Sequence, residues 1–559
     1  MIVYGDGHVR LTVSDVAEIL HKRLSAPAKP SLHELRIRCA IAGQLEQSAI
    51  DSSSNWAPEA EALSMLCGHA FAARVLGISW PNSYSPEGWD QAAGILFAIS
   101  SRAKSERPTD PMKIPEGFAW YAVYPDAYVQ AALAWARTAR TPSSVTVIGL
   151  RSIGTTLSGV VAAALRSRGF AVNRITVRPK GSPYRRHVSL PPELPINAAA
   201  LVVDEGPGRS GSSMAATADA LIRHGFDRNA IVFLPAHTNG PGGEVSASVE
   251  QWWRQTAIHV GGSIRPGKHH HCDCIEMGGG LWMRRAGVSA DDVHAAAPML
   301  EAPKFITENG TCTILWKFSG FTLAPNRNAT LSEDTSHKLT WLADHGLVPR
   351  PKSCEDGWIG TPWVDGPRLA LGRLTALDVL QACNYIRAAA DPPLEFAEAE
   401  ADHKRLADLL IENAKELCPS AITSAQRAAD TLLYDARLHD LPSYGDGRLA
   451  PHEWARMPTG ELLKLDAGGH SCDHTAIGPQ TILWDVAGLM VEWNMHSRIA
   501  GDLLDAFKLS ADLEKALACY VAAYAAFRAG VATLCGAHES KQRAIAYYTA
   551  HLKSALTAI

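Results

Sequence analysis

The sequence predicts an α/β multidomain chain: a parallel-sheet core with a helical N-terminal region before it and a two-lobed α+β domain after it. Two runs and one change of character point there. Val145-Thr146-Val147-Ile148-Gly149 and Ala200-Leu201-Val202-Val203 are short apolar segments, each followed by a small-residue loop and a helix-prone stretch. Strand–loop–helix units about fifty residues apart are the building blocks of parallel βαβ sheets. From about Lys304 hairpins replace them, beginning with Phe305 to Phe318 folded around Asn309-Gly310, a dipeptide suited to a tight hairpin turn. A length of 559 residues allows about three or four domains, each with its own core.

Residues 1–115 form the helical N-terminal region or cap. Val13 to Leu24 and Leu32 to Gln47 carry apolar residues at helical spacing, and Glu59 to Leu76 is helix-prone with Pro58 at its start. Proline-containing stretches at Pro81 to Pro86 and Pro108 to Pro115 separate this region from the sheet domain. It holds no catalytic cluster, so a cap on the core or an oligomerisation surface is its expected role. Residues 116–265 make the parallel-sheet domain, 266–302 a linker and 303–559 the two-lobed domain.

The chemistry of the second strand lies at its end. Asp204 and Glu205 close the strand, and Gly206-Pro207-Gly208-Arg209-Ser210-Gly211-Ser212-Ser213 leads into the next helix. Free N–H groups of such a loop, with the helix dipole behind them, favour an anion. Two acids beside it can accept from vicinal hydroxyls or help hold hydrated Mg²⁺. A ligand with a sugar diol and a phosphate suits that pattern, and a plain strand–turn–helix crossover ending in surface acids stays open. The earlier loop, Leu150-Arg151-Ser152-Ile153-Gly154, and the basic stretch Thr176 to His187, broken by two prolines and a glycine, lie upstream of it.

In this order the three segments resemble the phosphoribosyl-diphosphate (PRPP) site of the type I phosphoribosyltransferases. The resemblance implies that Asp204 and Glu205 hold the ribose diol as the catalytic acids, where the family prefers Asp in second place. It implies a pyrophosphate loop at Arg151, Ser152 and Gly154, and a mobile basic lid containing Arg178 and Lys180. Gly206, Gly208, Arg209, Ser210, Gly211 and Ser212 would form the 5′-phosphate loop. Without a gap Arg209 stands for the family's Thr and Ser210 for its Gly; one inserted residue restores a Ser210-Gly211 pair.

The C-terminal half carries a second constellation. Lys317 ends the apolar second strand of the hairpin, a helix is expected from Ser332 to His345, and Trp358 to Gly366 reads as another hairpin. Further on come Tyr444-Gly445-Asp446-Gly447, the run Glu461-Leu462-Leu463-Lys464-Leu465-Asp466, Gly478-Pro479 and Trp484-Asp485-Val486-Ala487-Gly488. The order resembles the aminoglycoside phosphotransferase and choline kinase family. The resemblance implies ATP binding through Lys317 with Glu333 as its ion-pair partner, Asp446 as the acid that orients or deprotonates the acceptor, and Asp466 as the Mg²⁺ ligand. Asp485 would be a structural cap. Tyr444 replaces the family's His, and Pro451 stands where its metal-binding Asn belongs, which leaves His452, Asp473 or solvent to complete the shell. A register with Asp473 and Asp485 as the working acids is the alternative.

Composition limits the classes. Hydrophobic residues at 47% and charged residues at 20% describe a globular protein, and a net charge of −4 gives bulk nucleic acid no electrostatic reason to bind. Eleven scattered cysteines suit a reducing cytoplasm. Met1-Ile2-Val3-Tyr4-Gly5-Asp6 shows no basic start followed by an apolar core. The most apolar stretch, Ala516 to Ala537, is interrupted by Arg528 and reads as a core helix, not a membrane span. His269-His270-His271-Cys272-Asp273-Cys274 lacks the paired spacing of structural zinc sites and reads as linker. The expected function is a bifunctional enzyme of small-molecule substrates, possessing a PRPP site and an ATP- and Mg²⁺-dependent site, with homo-oligomerisation open. A PRPP- and nucleotide-binding sensor is the alternative, as is a single activity beside a degenerate domain.

Overall fold

In a computed structural model the chain divides into two compact units, one of His8–Ile264 with Gly320–Thr330, the other of Met1–Gly7, Arg265–Ser319 and Leu331–Ile559. The structure describes all residues except 6, 10, 26–28, 79–85, 104–111, 139–143, 183, 197, 209, 243–244, 267–273, 290–296, 298–299, 310–311, 326–327, 391–400, 442–444, 469, 471–472, 476, 496–499 and 536–537. Arg209 and Tyr444 therefore lie outside the described residues, as does most of the His269–Asp273 cluster.

The first unit is built on a five-stranded sheet with neighbours in the order Ala171–Val177, Ser144–Leu150, Ala199–Val203, Ile231–Leu234 and Ala257–Ile258, all parallel. The central strands are buried on both faces, which is why they read as continuous apolar runs without alternation. Helices Val13–Leu24 and Leu32–Asp51 form where the apolar spacing predicts them, the second running four residues further, and Ala57–Leu76 forms over the helix-prone stretch with Pro58 in its first turn. Thr12 caps the first, accepting from the Asp15 N–H at 3.1 Å while the Asp15 carboxylate accepts from the Thr12 N–H at 2.9 Å.

These helices belong to the same compact unit as the sheet, so the division expected near residue 115 is not a division between compact units. The reason is the Leu32–Asp51 helix, buried on nearly every side along its middle. Its buried charges are paired: Arg36 with Asp126 at 2.8 and 2.9 Å, and Glu46 with Arg174 of the edge strand at 2.8 and 2.9 Å. Breaking such a pair costs about 3–5 kcal/mol, which ties the helix to the sheet. The inserted Gly320–Thr330 segment completes this unit. Phe321 packs against Phe118 and Tyr124 with ring centroids 5.2 and 5.3 Å apart, and Thr322 donates to Gln44 at 3.0 Å.

The second unit holds an antiparallel sheet in the order Ser353–Glu355, Trp358–Pro362, Cys312–Phe318, Lys304–Asn309 and Cys274–Glu276. The expected 266–302 linker thus supplies an edge strand, with Cys274 opposite Thr307. Three residues with one apolar member leave no periodicity to read. Helix Leu331–Asp344 comes after the central hairpin, and a helical region from Ala376–Ala390 to His538–Ala558 surrounds Glu514–Ala532. Arg528 lies buried in that helix, where it donates to Glu492 at 2.6 Å and to the Tyr548 hydroxyl at 3.1 Å. Among the described residues no helix is long and apolar enough to cross a membrane. Residues 1–7 close this unit: Val3 joins its core, the Asn413 amide donates to the Ile2 carbonyl at 3.0 Å, and the Gly5 N–H donates to the His474 carbonyl at 3.1 Å.

Candidate functional site

Each unit gathers the acids that the sequence singles out, and each does so differently. In the parallel sheet the connections after Leu150 and after Val203 leave toward opposite edges. Crevices at such a point, outside the carboxyl ends of the strands, are where open α/β sheets take ligands. The loops Arg151–Gly154 and Asp204–Gly211 flank it.

Glu205 and Asp204 end their strand beside Glu116. Burial pushes Asp204 up to about 7, helped by Glu116 against the pull of the Glu205 N–H and Arg178. Burial first, then Glu116 and Asp204, holds Glu205 well above the usual carboxylate range. The Gly117 N–H donates to Glu205, while Glu205 Oε2 is buried with no hydrogen-bond partner among the described residues. A buried acceptor without a donor carries a desolvation cost of about 1–3 kcal/mol, which a hydroxyl or a cation would relieve. Tyr128 fixes the corner from below by donating to the Asp204 carbonyl at 2.8 Å. Beyond it, Gly211 stands before helix Ser212–His224 with φ 60°; a Cβ there would meet Trp253 Nε1 at 2.6 Å and Pro241 Cβ at 2.7 Å. Ser210 and Ser212 share a hydroxyl hydrogen bond of 2.9 Å. Gly206 and Gly208 lie in this loop, the latter exposed.

The other predicted PRPP residues are more engaged. Arg151 pairs with Asp51 at 2.9 Å, and Arg178 pairs with the same carboxylate while donating to the Arg151 carbonyl at 2.9 Å. Arg178 is thus anchored where a mobile lid is expected, because Asp51 at the end of its helix offers both guanidinium groups a partner. Lys180 and His187 exchange backbone hydrogen bonds of 2.9 Å, which pin the two ends of the stretch together with the Lys180 side chain exposed. Gly154 is a packing glycine here: a Cβ would lie 2.6 Å from the Val203 carbonyl oxygen. Ser152 precedes its helix without capping it through its side chain.

In the second unit the acids are embedded in cations. Lys304 and Lys317 stand opposite each other on paired strands, and both reach Asp466, Lys304 at 3.6 Å and Lys317 closer. The expected partner Glu333 is not the one Lys317 takes; Asp466 is. Asp446 is fully buried, its Oδ1 accepting from His470 Nδ1 at 2.9 Å and its Oδ2 facing the Tyr385 hydroxyl and Lys464 Nζ, the latter at 3.3 Å. Asp485 accepts from the Asp446 and Gly447 N–H groups, both at 2.8 Å, and so caps the loop, while Lys338 donates to the Gly445 carbonyl. Asp473 caps Thr475 N–H at 2.8 Å and stays out of the cluster.

Electrostatics follow from that packing. Burial alone would raise Asp446, yet Lys464, His470 and Lys338 outweigh it and hold its carboxyl below the usual range. Asp466 is likewise held well below, with Lys317 and Lys304 overcoming burial. Burial lifts Asp485 to about 6, aided by the charge of Asp446.

Glu453, Lys464, Lys304, His470 and Tyr385 are residues that sequence reasoning misses. Glu453 accepts from Lys464 at 2.9 Å, and the ligand atoms of Glu453, Asp466 and His470 all lie within 4.8 Å of one another. That set is a candidate divalent-cation site, with Glu453 two residues after Pro451 in the chain. His452 turns away, stacked on Trp282 at 5.6 Å and lowered by burial to about 3. Lys464 had one signal: in Leu462-Leu463-Lys464 it shares its face with buried Leu462.

No protein-family model matches the chain, and no curated protein matches it. Among solved structures the chain is similar to a choline kinase of Streptococcus pneumoniae at 15% identity and TM-score 0.32, over 45% of this chain and 89% of that one. A choline/ethanolamine kinase family protein of Mesorhizobium loti matches at 12% identity and TM-score 0.33, over 46% and 88% of the two chains. A spectinomycin phosphotransferase, solved with ADP and spectinomycin, matches at 10% identity and TM-score 0.33, over 47% and 90%.

Proposed function

We propose that the second unit transfers a phosphoryl group from ATP to a hydroxyl of a small molecule. The observation that carries this reading is the convergence of Lys317 and Asp466 beside buried Asp446 on a loop held by Asp485. Phosphoryl transfer asks a protein mainly to position groups and neutralise charge. Lys317 would exchange Asp466 for donor phosphates. Asp446 would orient or deprotonate the acceptor hydroxyl once His470 or Tyr385 yields one of its oxygens. Asp466 with Glu453 and His470 would hold a divalent cation, which would neutralise phosphate charge when bound. ADP release by the full-length protein, measured over a panel of small hydroxyl compounds, tests the reading. Loss of ADP release in Lys317→Ala and Asp466→Asn with retained folding supports it; equal release from both variants overturns it.

For the first unit we propose binding of a phosphorylated sugar of the PRPP kind, and phosphoribosyl transfer as its activity. The buried Glu205 Oε2 without a hydrogen-bond partner among the described residues, at the end of the strand that leads into the Ser212–His224 helix, supports this reading. Asp204→Asn with Glu205→Gln should lower PRPP affinity at least about tenfold by calorimetry, since hydrogen bonds to charged groups are worth about 1.5–3 kcal/mol. Unchanged affinity overturns it. Binding at both sites without pyrophosphate or ADP release would select the sensor reading.

A further inference from the structure

The cation site in the second unit has an unusual donor set, and that set carries a consequence for which ion it takes. Among Glu453, Asp466 and His470 one donor is an imidazole nitrogen, and Mg²⁺ prefers an all-oxygen shell and holds its own waters. Imidazole with carboxylates suits Mn²⁺, Fe²⁺ or Zn²⁺ better. We propose that Glu453, Asp466 and His470 form a divalent-cation site that selects Mn²⁺ over Mg²⁺ through His470 Nε2. The proposal rests on the phosphotransfer reading for what the ion does, and on the geometry alone for its binding.

Three features of the geometry support it. The three ligand atoms lie within 4.8 Å of one another; ligands at about 2.1 Å from one ion are at most about 4.2 Å apart, so a shift of a few tenths of an ångström by each closes the site. His470 is 5% exposed, and the charged oxygen near its Nε2 among the described residues is Asp466 Oδ1 at 3.9 Å, too far for a hydrogen bond. That nitrogen is thus not committed to a hydrogen bond with Asp466, and it lies on the side of the ring that faces this ligand. Lastly, His470 Nδ1 lies 2.9 Å from Asp446 Oδ1. An ionised carboxylate only accepts, so the ring proton sits on Nδ1 and the Nε2 lone pair is left for a metal. A carboxylate behind a histidine in this way orients metal-binding rings and raises their basicity.

The surrounding cations set the terms. Lys304 and Lys317 neutralise Asp466, and Lys464 holds Glu453. An ion entering the site displaces Lys317 from Asp466 and frees its ammonium for a phosphate. Metal and nucleotide should therefore favour each other's binding, by linkage.

The test uses full-length protein without acceptor. Mn²⁺ binding is followed by electron paramagnetic resonance and Mg²⁺ binding by calorimetry, each with and without a non-hydrolysable ATP analogue. Expected are tighter binding of Mn²⁺ than Mg²⁺, a ¹⁴N coupling on bound Mn²⁺, and a loss of both in His470→Asn, with Mn²⁺ affinity down by about 10–100-fold. Glu453→Gln, which keeps a hydrogen-bonding group beside Lys464, should weaken both ions and retain the ¹⁴N coupling at saturation; it decides the matter if His470→Asn does not fold. Equal affinities for the two ions, no ¹⁴N coupling, or Mn²⁺ binding untouched by either substitution would overturn the proposal. Selective Mn²⁺ binding with no ADP release from any acceptor leaves the site standing and removes the phosphotransfer reading. ADP release with a Mg²⁺ preference does the reverse.

Discussion

Asp204 and Glu205 in one unit, and Asp446 and Asp466 in the other, are acids at strand or loop ends, each at least partly buried and opposite in behaviour. The first pair sits with a third carboxylate, Glu116, and its affinity for protons rises. The second pair is surrounded by Lys304, Lys317, Lys338 and Lys464, and its affinity falls. Burial works the same way on both; the neighbours decide. An acid with raised affinity is prepared to accept hydroxyl donors or a cation. An ionised acid locked among lysines must first be released by a competing anion, and under the proposed phosphotransfer reading the donor phosphates would be that anion.

The largest break in that comparison should come from Lys464→Met. It strips the ammonium lying 3.3 Å from Asp446 and 2.9 Å from Glu453, leaving buried charge uncompensated at a cost of about 3–5 kcal/mol. Urea denaturation should show the loss, and adding Asp446→Asn should recover part of it. If the single variant loses under about 1 kcal/mol, the lysines are not what holds those acids.

Gly117→Ala should act next, in the other unit. Its Cβ would lie 2.5 Å from Glu205 Oε2 and 2.5 Å from Ile153 Cδ1, so overpacking of about 1–3 kcal/mol is expected, together with weaker PRPP binding. Normal affinity in a destabilised variant would separate Glu205 from the ligand.

The pH dependence gives a finer contrast. Asp204, with a folded value of about 7, binds protons in the native state that the unfolded chain releases near pH 4, so its ionisation costs stability progressively between those values and fully above them. Asp204→Asn should match the parent near pH 4 and exceed its melting temperature by about 2–4 °C above pH 7. Asp446 runs the other way: its contribution is complete above the ordinary carboxylate range and disappears as pH falls through its lowered folded value. A melting difference for Asp204→Asn that does not grow with pH would place its carboxylate outside the acid cluster. The smallest effect belongs to the looser Arg448–Asp473 pair at 3.9 Å; Asp473→Asn should change stability by no more than about 0.5 kcal/mol.

Much of this layout is legible in the chain because burial writes itself as composition. Val145–Gly149 and Ala200–Val203 announce a doubly covered sheet by being apolar throughout, and the order of Lys317, Asp446, Asp466 and Asp485 along the chain is that of groups the fold brings together or uses as a cap. The hidden part depends on pairing in space. Glu333 looks like the partner of Lys317 by position after the hairpin, but Asp466, far along the sequence, lies against it. Arg151 and Arg178 look free for phosphate, yet Asp51 lies between them. Glu453 ends a three-residue 3-10 turn, Pro451–Glu453, and His470 is likewise a lone polar residue in a short turn, with no periodicity to mark either. The Cys274–Glu276 strand is too short to show any.

The two exchanged segments, residues 1–7 and 320–330, bear on the order in which the chain can be completed. The unit holding Phe118 and Tyr124 waits for Phe321, which leaves the ribosome after the first hairpin of the other unit has already been made. That other unit is closed by Ile2 and Gly5, translated first and without their partners Asn413 and His474 until hundreds of residues later. No single cut yields two whole halves: a fragment ending at Ile264 lacks the ring that packs on Phe118, and one starting at Arg265 lacks the N-terminal segment whose Gly5 N–H reaches the His474 carbonyl. Each compact unit thus includes a segment from beyond the other's main stretch of sequence, so neither is encoded by one contiguous piece of the chain.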